Sequence, residues 1–213
     1  RHPEPSHKKG AIMRRRVIPS LTAAVLLLLP CAGLADRYQI DPAHTSLTFS
    51  VRHFGISNVK GHFDEFSGSI VLENGAIREA SGTIQVNSIN TGVWQRDDHL
   101  RTADFFDAPN YPQILFKTGR VEKSGEETVL VGDFTMRGVT RELRLPVRLN
   151  GPIKDPKGNL RIGLEAKTGL NRKDYGIRYH AALETGVPLV GDEVAIEINA
   201  EAIKEVPGET GTQ

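Results

Sequence analysis

The sequence predicts an all-β barrel of about eight antiparallel strands with one or two short helices. Apolar and polar residues alternate over most of the chain after residue 37, which is typical of strands with one buried and one exposed face. Turn signals such as Asn74-Gly75 and the segment 155–159 (DPKGN) separate the alternating runs. A sandwich also fits this spacing, but we favour a barrel because closure leaves a sheet of this length without open edges.

The predicted strands follow one another from Tyr38 onwards. The most regular is the last, in which Val194, Ile196 and Ile198 alternate with charged or polar neighbours. The alternating runs cover residues 38–53, 63–72, 83–89, 114–121, 128–134, 142–149, 160–167 and 193–202. Short helices are predicted within residues 95–107 and 171–179. We therefore expect one barrel domain over residues 36–206 and a flexible tail over residues 207–213.

Residues 1–35 predict a signal peptide rather than part of the fold. Met13 is followed by three arginines, an apolar run from Val17 to Leu29, and small residues up to Ala35. This order is typical of a secretory signal, with residues 1–12 as extra sequence before it. An uncleaved membrane anchor and a lipoprotein carrying its lipid on Cys31 are the alternatives, but the apolar run is short for a spanning helix.

The charge balance changes once this segment is set aside. Residues 1–35 hold six of the 27 Lys and Arg, one of the 26 Asp and Glu, and the single cysteine, Cys31. Residues 36–213 therefore carry 21 basic and 25 acidic groups, a net charge of −4. A mildly acidic domain without cysteine is a poor candidate for binding nucleic acid, and it can form no disulfide, thiol nucleophile or cysteine-ligated metal site.

Composition leaves the nature of the barrel interior open. Many residues on the predicted inner faces are small, among them Val51, Ala166 and Ala200, and Gly132, Gly138 and Gly163 lie near them. Small residues could leave room for one ligand inside a barrel of about eight strands. The alternative is an interior that is simply packed with side chains.

Seven short motifs in order resemble the YceI-like, polyisoprenoid-binding family of bacterial periplasmic proteins. They occupy 38–53 (YQIDPAHTSLTFSVRH), 61–68 (GHFDEFSG), 87–91 (NSINT), 96–100 (RDDHL), 105–112 (FFDAPNYP), 132–140 (GDFTMRGVT) and 170–176 (LNRKDYG), and the match as a whole runs from about Tyr38 to Lys204. The resemblance implies an extended lipocalin-like barrel with an apolar tunnel, located in the periplasm. It also implies a bound isoprenoid (quinone or polyprenyl) or fatty-acid-like chain for transport or storage, a homodimer, no catalysis, and no cofactor besides the lipid.

Two sets of candidate site residues follow from the inner faces and the resemblance. The predicted ligand-binding residues are Leu47, Phe49, Val51, Phe63, Phe66, Ile84, Val86, Trp94, Leu100, Phe105, Phe106, Ile114, Phe116, Phe134, Leu145, Val147, Leu164, Ile196 and Ile198. The predicted polar rim or lid anchors are His44, His53, Arg96, Asp97, His99, Asn171, Arg172 and Tyr175. The segment 170–176 is either a solvated connection or a rim that meets a lipid head group or, transiently, a membrane.

The segment 92–112, called the lid segment below, interrupts the strand pattern with charged and aromatic residues. We interpret it as a short helical lid, with Trp94 and Phe105 among its apolar wall residues and Arg96 pairing with a carboxylate. The alternative is a lipid hydrolase that uses His99 and Asp97, with a hydroxyl such as that of Ser88 as nucleophile, although no G-x-S-x-G motif accompanies them. The histidine spacings match no metal motif, so no metal site is predicted, even if His53 and His62 were to face each other across a hairpin.

Overall fold

Eight antiparallel strands close into a barrel in the computed structural model, which describes residues 2–3, 35–124 and 127–206. The predicted signal peptide and the predicted C-terminal tail lie outside these residues, apart from residues 2, 3 and 35. The prediction of an all-β antiparallel barrel with a short helix is confirmed. Among the described residues, none of the helices has both the length and the apolar character that crossing a membrane requires.

Eleven strand segments and one α-helix make up the described chain. The strands are β1 (Asp36–Ile40), β2 (Ser46–His53), β3 (Ser57–Phe63), β4 (Phe66–Glu73), β5 (Ala76–Gln85), β6 (Ile89–Asn90), β7 (Gln113–Ser124), β8 (Glu127–Met136), β9 (Val139–Lys154), β10 (Leu160–Asn171) and β11 (Val190–Lys204). The helix is α1 (Trp94–Arg101). Short 3₁₀ turns cover Pro42–His44, Val86–Ser88 and Arg172–Tyr175.

The closed ring runs in the order β1, β4, β5, β7, β8, β9, β10 and β11, and β1 pairs with β11 to complete it. One edge of β11 is shared by two strands: Ile40 of β1 lies opposite Ala202, whereas Ser46 of β2 lies opposite Asn199. From β2 the sheet continues through β3 to β6. The barrel therefore has different walls at its two ends.

The predicted strand over residues 38–53 is in fact two strands. Pro42 opens the 3₁₀ turn between them, and the Asp41 carboxylate accepts a hydrogen bond from the Ala43 N–H at 3.1 Å. Proline has no N–H to donate to a strand ladder, and an aspartate that caps a turn stabilises the break. This interruption lets β1 pair with β4 while β2 pairs with β3.

Two tight hairpins follow the turn chemistry of the sequence. Asn74 and Gly75 have φ angles of 51° and 78°, and Arg137 and Gly138 have φ angles of 50° and 72°. Positive φ at both central residues is the geometry that matches the twist of paired strands, and glycine adopts it without strain. The Asn74-Gly75 turn was predicted from the sequence, and it joins β4 to β5.

Gly132 contradicts the idea that small residues near the inner face make room for a ligand. A Cβ atom at this position would collide with the backbone carbonyl of Lys117 on the neighbouring strand. The β7–β8 ladder shifts register beside it, between Thr118 and Arg120. The glycine is therefore needed for close approach of two backbones rather than for cavity space.

The core consists of two clusters of buried side chains. The first joins β1, β4, β5, β8, β9, β10 and β11 around Tyr38, Leu130 and Ile162, which are at most 2% exposed. The second lies where the lid segment covers the barrel, and its buried members include Phe105 and Tyr175. The lid segment thus belongs to the hydrophobic core of one end of the barrel.

The helix of the lid segment is shorter than predicted. It ends at Arg101, where Thr102 adopts an extended conformation and its N–H bonds the carbonyl of His99. The chain then continues in turns towards β7, with Asp107 at a positive φ of 53°. Because the helix is polar on nearly every side, hydrogen bonds and the apolar residues after it must hold it in place.

Candidate functional site

An apolar cavity of about 250 Å³ occupies the inside of the barrel. Every ring strand except β1 contributes two or more lining residues, and nearly all the lining atoms are apolar. On β11 alone the lining includes Val194, Ile196, Ile198 and Ala200, which span roughly 20 Å at about 3.3 Å of rise per residue. The cavity is therefore elongated along the strands, as a chain-shaped apolar ligand would require.

Sixteen of the nineteen predicted ligand-binding residues line this cavity. They are Leu47, Phe49, Val51, Phe63, Phe66, Ile84, Leu100, Phe105, Phe106, Ile114, Phe116, Phe134, Leu145, Leu164, Ile196 and Ile198. Strand alternation places thirteen of them together because every second residue of a barrel strand points inward, whereas Leu100, Phe105 and Phe106 come from the lid segment. Their contact with a ligand stays a prediction.

Three residues of that prediction are wrong as cavity-lining positions. Trp94 is 70% exposed, because it begins α1 on the side away from the barrel interior. Val86 and Val147 are buried at 1% and 6% exposure, but they pack within the core clusters and do not line the cavity. Apolar character alone could not tell an exposed position or a packed core position from one in the cavity wall.

Sequence reasoning also missed some lining residues. Leu143, Leu170 and Val194 line the cavity and continue alternations that the sequence already showed. Ile177 and Val190 also line it, but they lie at the two ends of the irregular connection between β10 and β11. No periodic signal marks these two positions, so only the fold brings them to the cavity.

Aromatic rings surround the cavity where the lid segment covers it. The ring centroids of Phe49 and Phe63 are 5.7 Å apart, and those of Phe63 and Phe106 are 6.1 Å apart. Phe105 lies against Tyr179 at 4.7 Å. Aromatic pairs at these separations are favourable beyond their buried area, so they give this part of the wall a defined shape.

Thr91 and Asp97 fasten the start of α1. The Asp97 carboxylate, in a residue that is 6% exposed, accepts hydrogen bonds from the N–H of Thr91 at 2.9 Å and from its hydroxyl at 2.5 Å. Arg96 donates to the Thr91 hydroxyl oxygen at 2.7 Å and to its carbonyl at 2.9 Å. Arg96 and Asp97 thus hold the start of α1, and Arg96 bonds Thr91 rather than the predicted carboxylate. Their role as lid anchors stays a prediction.

The arrangement that a hydrolase would need is not assembled around His99. Its Nε2 lies 2.9 Å from the Asp104 carboxylate, while Asp97 is bonded to Thr91. The Ser88 hydroxyl donates to the Gln85 carbonyl at 2.7 Å. None of these contacts links a nucleophile to a base in the way that nucleophilic catalysis requires.

A second cavity of about 190 Å³ adjoins the apolar one and has a more polar wall. Five of its lining residues, Phe49, Val51, Leu100, Phe105 and Val190, also line the apolar cavity. The rest are His53, Val59, Thr91, Arg96, His99, Tyr179 and Leu189. The predicted rim residues His53, Arg96 and His99 therefore lie together at one end of the apolar cavity.

Arg172 fastens the connection between β10 and β11. This residue is 5% exposed, and its guanidinium donates to the carbonyl oxygens of Ile177, Tyr179, Val190 and Gly191 at 2.8–3.3 Å. It also pairs with the Asp192 carboxylate at 2.9 Å. These bonds tie the connection to the start of β11, so Arg172 is an anchor of the rim that also lines the apolar cavity.

The other predicted rim residues serve neighbouring turns. Asn171 accepts a hydrogen bond from the N–H of Lys173 at 3.0 Å, which caps the 3₁₀ turn. Tyr175 is buried in the second core cluster, and this burial raises the pKa of its hydroxyl. His44 is a correction, because it is exposed and bonds Asp41, at the turn after β1 and away from the second cavity.

Two histidine arrangements bear on metal binding. His53 lies opposite Ser57 and His62 opposite Thr48, so the two histidines do not face each other across the β2–β3 hairpin. Ligand atoms of Asp41, His44 and Glu201 do approach within 4.8 Å of one another. Arg161 already pairs with both carboxylates, at 2.7 Å and 3.2 Å, so a cation of the chain itself occupies this cluster.

The fold and the cavity define a class of protein: a closed antiparallel barrel built around an elongated apolar site for a small molecule. Residues 38–202 match the model of the YceI-like domain family. The chain belongs to the YceI-like family. It is 38% identical over 168 residues to a UPF0312 protein of Staphylococcus aureus, covering 78% of this chain and 96% of the relative. A UPF0312 protein of Photorhabdus laumondii is 36% identical over 170 residues, covering 78% and 88%.

Solved structures share this fold. The YCEI protein of Campylobacter jejuni superimposes with a TM-score of 0.63 at 29% identity, over 73% of this chain and 90% of that one. BcnA of Burkholderia cenocepacia gives a TM-score of 0.65 at 21% identity, over 76% and 98%. A polyisoprenoid-binding domain from Saccharophagus degradans gives 0.58 at 18% identity, over 79% and 98%. The last two likenesses establish the fold alone.

Proposed function

We propose that this protein is a periplasmic lipid-binding protein that holds an isoprenoid or fatty-acid-like chain in its apolar cavity, for transport or storage and without catalysis. The observation that carries the proposal is the elongated cavity with its apolar wall. The polyisoprenoid-binding domain from Saccharophagus degradans, which has the same fold, supports the same class of ligand. The basic, apolar and small-residue order of residues 13–35 supports the periplasmic location.

The energetics of such binding are favourable without any head-group contact. Each CH₂ removed from water contributes about 0.8 kcal/mol, so a five-carbon isoprene unit contributes roughly 3–4 kcal/mol. Ordering of the chain and loss of its free motion offset a large part of this sum. We therefore expect a lipid to stay bound through purification and to raise the unfolding temperature of the protein.

A pair of substitutions on one strand tests the proposal. Ala200 lines the cavity, whereas Ala195 on the same strand is exposed, so Ala200→Phe should fill the cavity and Ala195→Phe should not. Organic extraction and mass spectrometry of protein purified from the native periplasm should recover an unmodified chain lipid from wild type and Ala195→Phe. Folded Ala200→Phe protein should contain at least tenfold less. Equal lipid in all three proteins, or none in any, would contradict the proposal.

We also propose that the lipid passes to and from a membrane at an apolar rim formed by Ile56, Leu183 and Val187. These side chains are 82%, 43% and 36% exposed. Their two loops touch, because the Phe54 N–H bonds the Leu189 carbonyl at 3.0 Å. Both loops also adjoin the second cavity, through His53 and Leu189. The rim therefore lies beside the polar end of the lipid site.

The charges near this rim favour an anionic bilayer as its partner. Arg52 near the end of β2 and Arg178 in the connection before β11 are exposed, and Glu184 is the one acidic residue in segments 50–59 and 176–190. Ile56→Ser with Val187→Ser should weaken cosedimentation with phosphatidylglycerol vesicles about tenfold, and added salt should weaken it further. Ile153→Ser removes an apolar residue that is 63% exposed on β9 and is the control. Equal vesicle binding by both variants would contradict the proposal.

The homodimer is a further part of the proposal, and it rests on the family resemblance. Sedimentation velocity of the lipid-loaded protein measures it directly. A single species with the mass of two chains is expected, and a monomer at every concentration tested would contradict it.

A further inference from the structure

The turns of the lid segment that follow α1 are attached at both ends to the same short stretch of chain before the helix. Arg101, the last residue of α1, donates to the carbonyl oxygens of Asn87 and Ile89, both at 3.0 Å. The Val86 N–H donates to the Pro112 carbonyl at 2.9 Å. The turns between Arg101 and Pro112 therefore form a flap whose two ends are held close together.

Arg137, in the tight turn between β8 and β9, holds the middle of this flap. Its Nη2 donates to the Ala103 carbonyl at 2.7 Å. Among the described residues, this is the one hydrogen bond that joins the lid segment to any part of the chain outside residues 86–91. The same turn also packs against the flap, because a Cβ atom at Gly138 would lie 2.5 Å from the Tyr111 ring. The β8–β9 turn is thus the distant support of the flap.

The same guanidinium also holds the connection between β10 and β11. The Nη1 of Arg137 donates to the carbonyl of Gly176, which follows the 3₁₀ turn after β10. The next residue, Ile177, lines the apolar cavity, and Phe105, two residues after Ala103, lines both cavities. One side chain therefore joins two irregular segments that each contribute to the cavity wall.

The third donor position of Arg137 is not satisfied in this closed arrangement. Its Nε is buried and has no hydrogen-bond partner, and it is the one such side-chain atom among the described residues. A buried donor without an acceptor is unfavourable because it has lost its bonds to water. Movement of the flap away from Arg137 would let water reach this atom. Two bonds thus stabilise the closed arrangement, while the unsatisfied donor lowers the cost of opening.

We propose that Arg137 is a latch that couples the flap to the connection between β10 and β11, so that both walls move together when lipid enters or leaves. The inference rests on the proposed lipid-binding function, and it concerns how the cavity opens rather than what it holds. Arg137 lines neither cavity. It is a positioning residue that acts through the backbone of Ala103 and Gly176 on the neighbouring wall residues Phe105 and Ile177.

Exchange of a fluorescent fatty acid tests the latch. Protein loaded with parinaric acid, which fluoresces in apolar surroundings, is mixed with excess oleic acid, and the fall in fluorescence gives the exchange rate. Arg137→Met should raise this rate about tenfold, the change expected for one or two lost hydrogen bonds. Because an easier opening speeds entry as well as exit, Kd should stay within about threefold of wild type. Arg137→Lys, with one ammonium in place of the forked guanidinium, should give an intermediate rate.

Arg141→Met is the matched control. Arg141 donates to the Asp174 carbonyl of the same connection at 2.8 Å, and among the described residues it has no hydrogen bond to the lid segment. Its replacement should leave the exchange rate within about twofold of wild type. Hydrogen exchange without any ligand is the second measurement. In Arg137→Met, but not in Arg141→Met, the amides of Phe105 and Ile177 should both exchange faster.

The outcomes separate the latch from the binding function. Equal exchange rates for Arg137→Met and Arg141→Met, or faster hydrogen exchange at only one of the two walls, would overturn the inference while the proposed function stands. A Kd that rises as much as the exchange rate would also overturn it, because Arg137 would then support the bound state rather than control opening. If wild type binds no parinaric acid and Ala200→Phe retains as much extracted lipid as wild type, the proposed function fails and the inference with it.

Discussion

The two ends of the barrel are each organised by an arginine, but the two arginines have different partners. At one end, Arg161 of β10 pairs with the carboxylates of Asp41, Asp155 and Glu201 at 2.7, 2.9 and 3.2 Å. At the other end, Arg172 donates chiefly to backbone carbonyl oxygens of the segment 177–191. We call these the Arg161 end and the Arg172 end.

The difference follows from what the chain leaves unsatisfied at each end. The Arg161 end consists of paired strands and tight turns, so its backbone groups are bonded and side-chain charges join one strand to the next. The Arg172 end carries an irregular connection between β10 and β11, whose carbonyl groups need donors. One end of this barrel is thus held by paired strands and ion pairs, while the other has irregular walls held by bonds from a side chain to the backbone.

Of the variants that test the difference between the two ends, Arg172→Met should lower the free energy of unfolding the most. It removes the Arg172 donor from four carbonyl oxygens of buried or half-buried residues, so we expect a loss of about 3 kcal/mol in the free energy of unfolding. Urea unfolding measures the loss, and hydrogen exchange should show faster exchange in segment 177–191. Arg178→Met, an exposed arginine in the same segment, is the control. A loss below 1 kcal/mol would mean that the segment holds its position without Arg172.

Asp97→Asn should have the next largest effect, at the start of the lid helix. The amide cannot fully replace a carboxylate oxygen that accepts from both the N–H and the hydroxyl of Thr91, so we expect a loss of about 1–2 kcal/mol. Asp98→Asn makes the same change at the exposed neighbouring position. Equal unfolding free energies for the two variants would show that Thr91 does not anchor the helix.

Asp155→Asn should act at the Arg161 end, and its effect should depend on pH. The Arg161 guanidinium, helped by hydrogen bonds from Asn159 and Lys157, lowers the pKa of Asp155 to about 2, from about 3.9 in an unfolded chain. Because the folded pKa is the lower one, the pair stabilises the fold above about pH 4, and this contribution is lost as the pH falls towards about 2.

Urea midpoints measured between pH 7 and pH 2 check this prediction. Asp155→Asn should be less stable than wild type at pH 7, and the difference should vanish near pH 2. Asp133→Asn removes an exposed carboxylate from β8 as the control for a change in net charge. If Asp155→Asn and wild type differed in stability by the same amount at every pH, the ion pair of Asp155 with Arg161 would not be what stabilises this end.

Trp94→Ser should have the smallest effect. Trp94 is 70% exposed, so its replacement should change the free energy of unfolding by less than about 0.5 kcal/mol. Phe105→Ala, at a residue of the same segment that is 7% exposed and lines both cavities, should cost about 3 kcal/mol or more. Chemical unfolding compares the two. A large loss for Trp94→Ser would mean that this ring has a partner in the folded protein.

Strand alternation allowed much of the barrel to be predicted from the sequence. Along β10 and β11, inward residues such as Leu164 and Ile196 could be recognised because the period of two is a property of each strand by itself. The turn at Asn74-Gly75 was predicted for a similar reason, since its backbone angles depend on these two residues. Both predictions depend only on residues that are adjacent in the sequence.

The tertiary structure decided how these elements combine into a site. The alternation over residues 38–53 predicted one strand, and only the tertiary structure shows that the chain breaks at Pro42 and that β1 and β2 share one edge of β11. Trp94 and Phe105 are both large aromatics of the lid segment, yet one is exposed and the other is in the cavity wall.

Arg172 shows most clearly where sequence reasoning ends. The sequence pointed to a polar rim residue at this position, but its acceptors lie 5 to 19 residues further along the chain. The second cavity likewise joins β2, α1 and the segment before β11. The residue types determined strand, turn and inward face, because these depend on local backbone geometry. Only the closed barrel determined which unsatisfied carbonyls, rings and charges meet, because each meeting depends on contacts between distant parts of the chain.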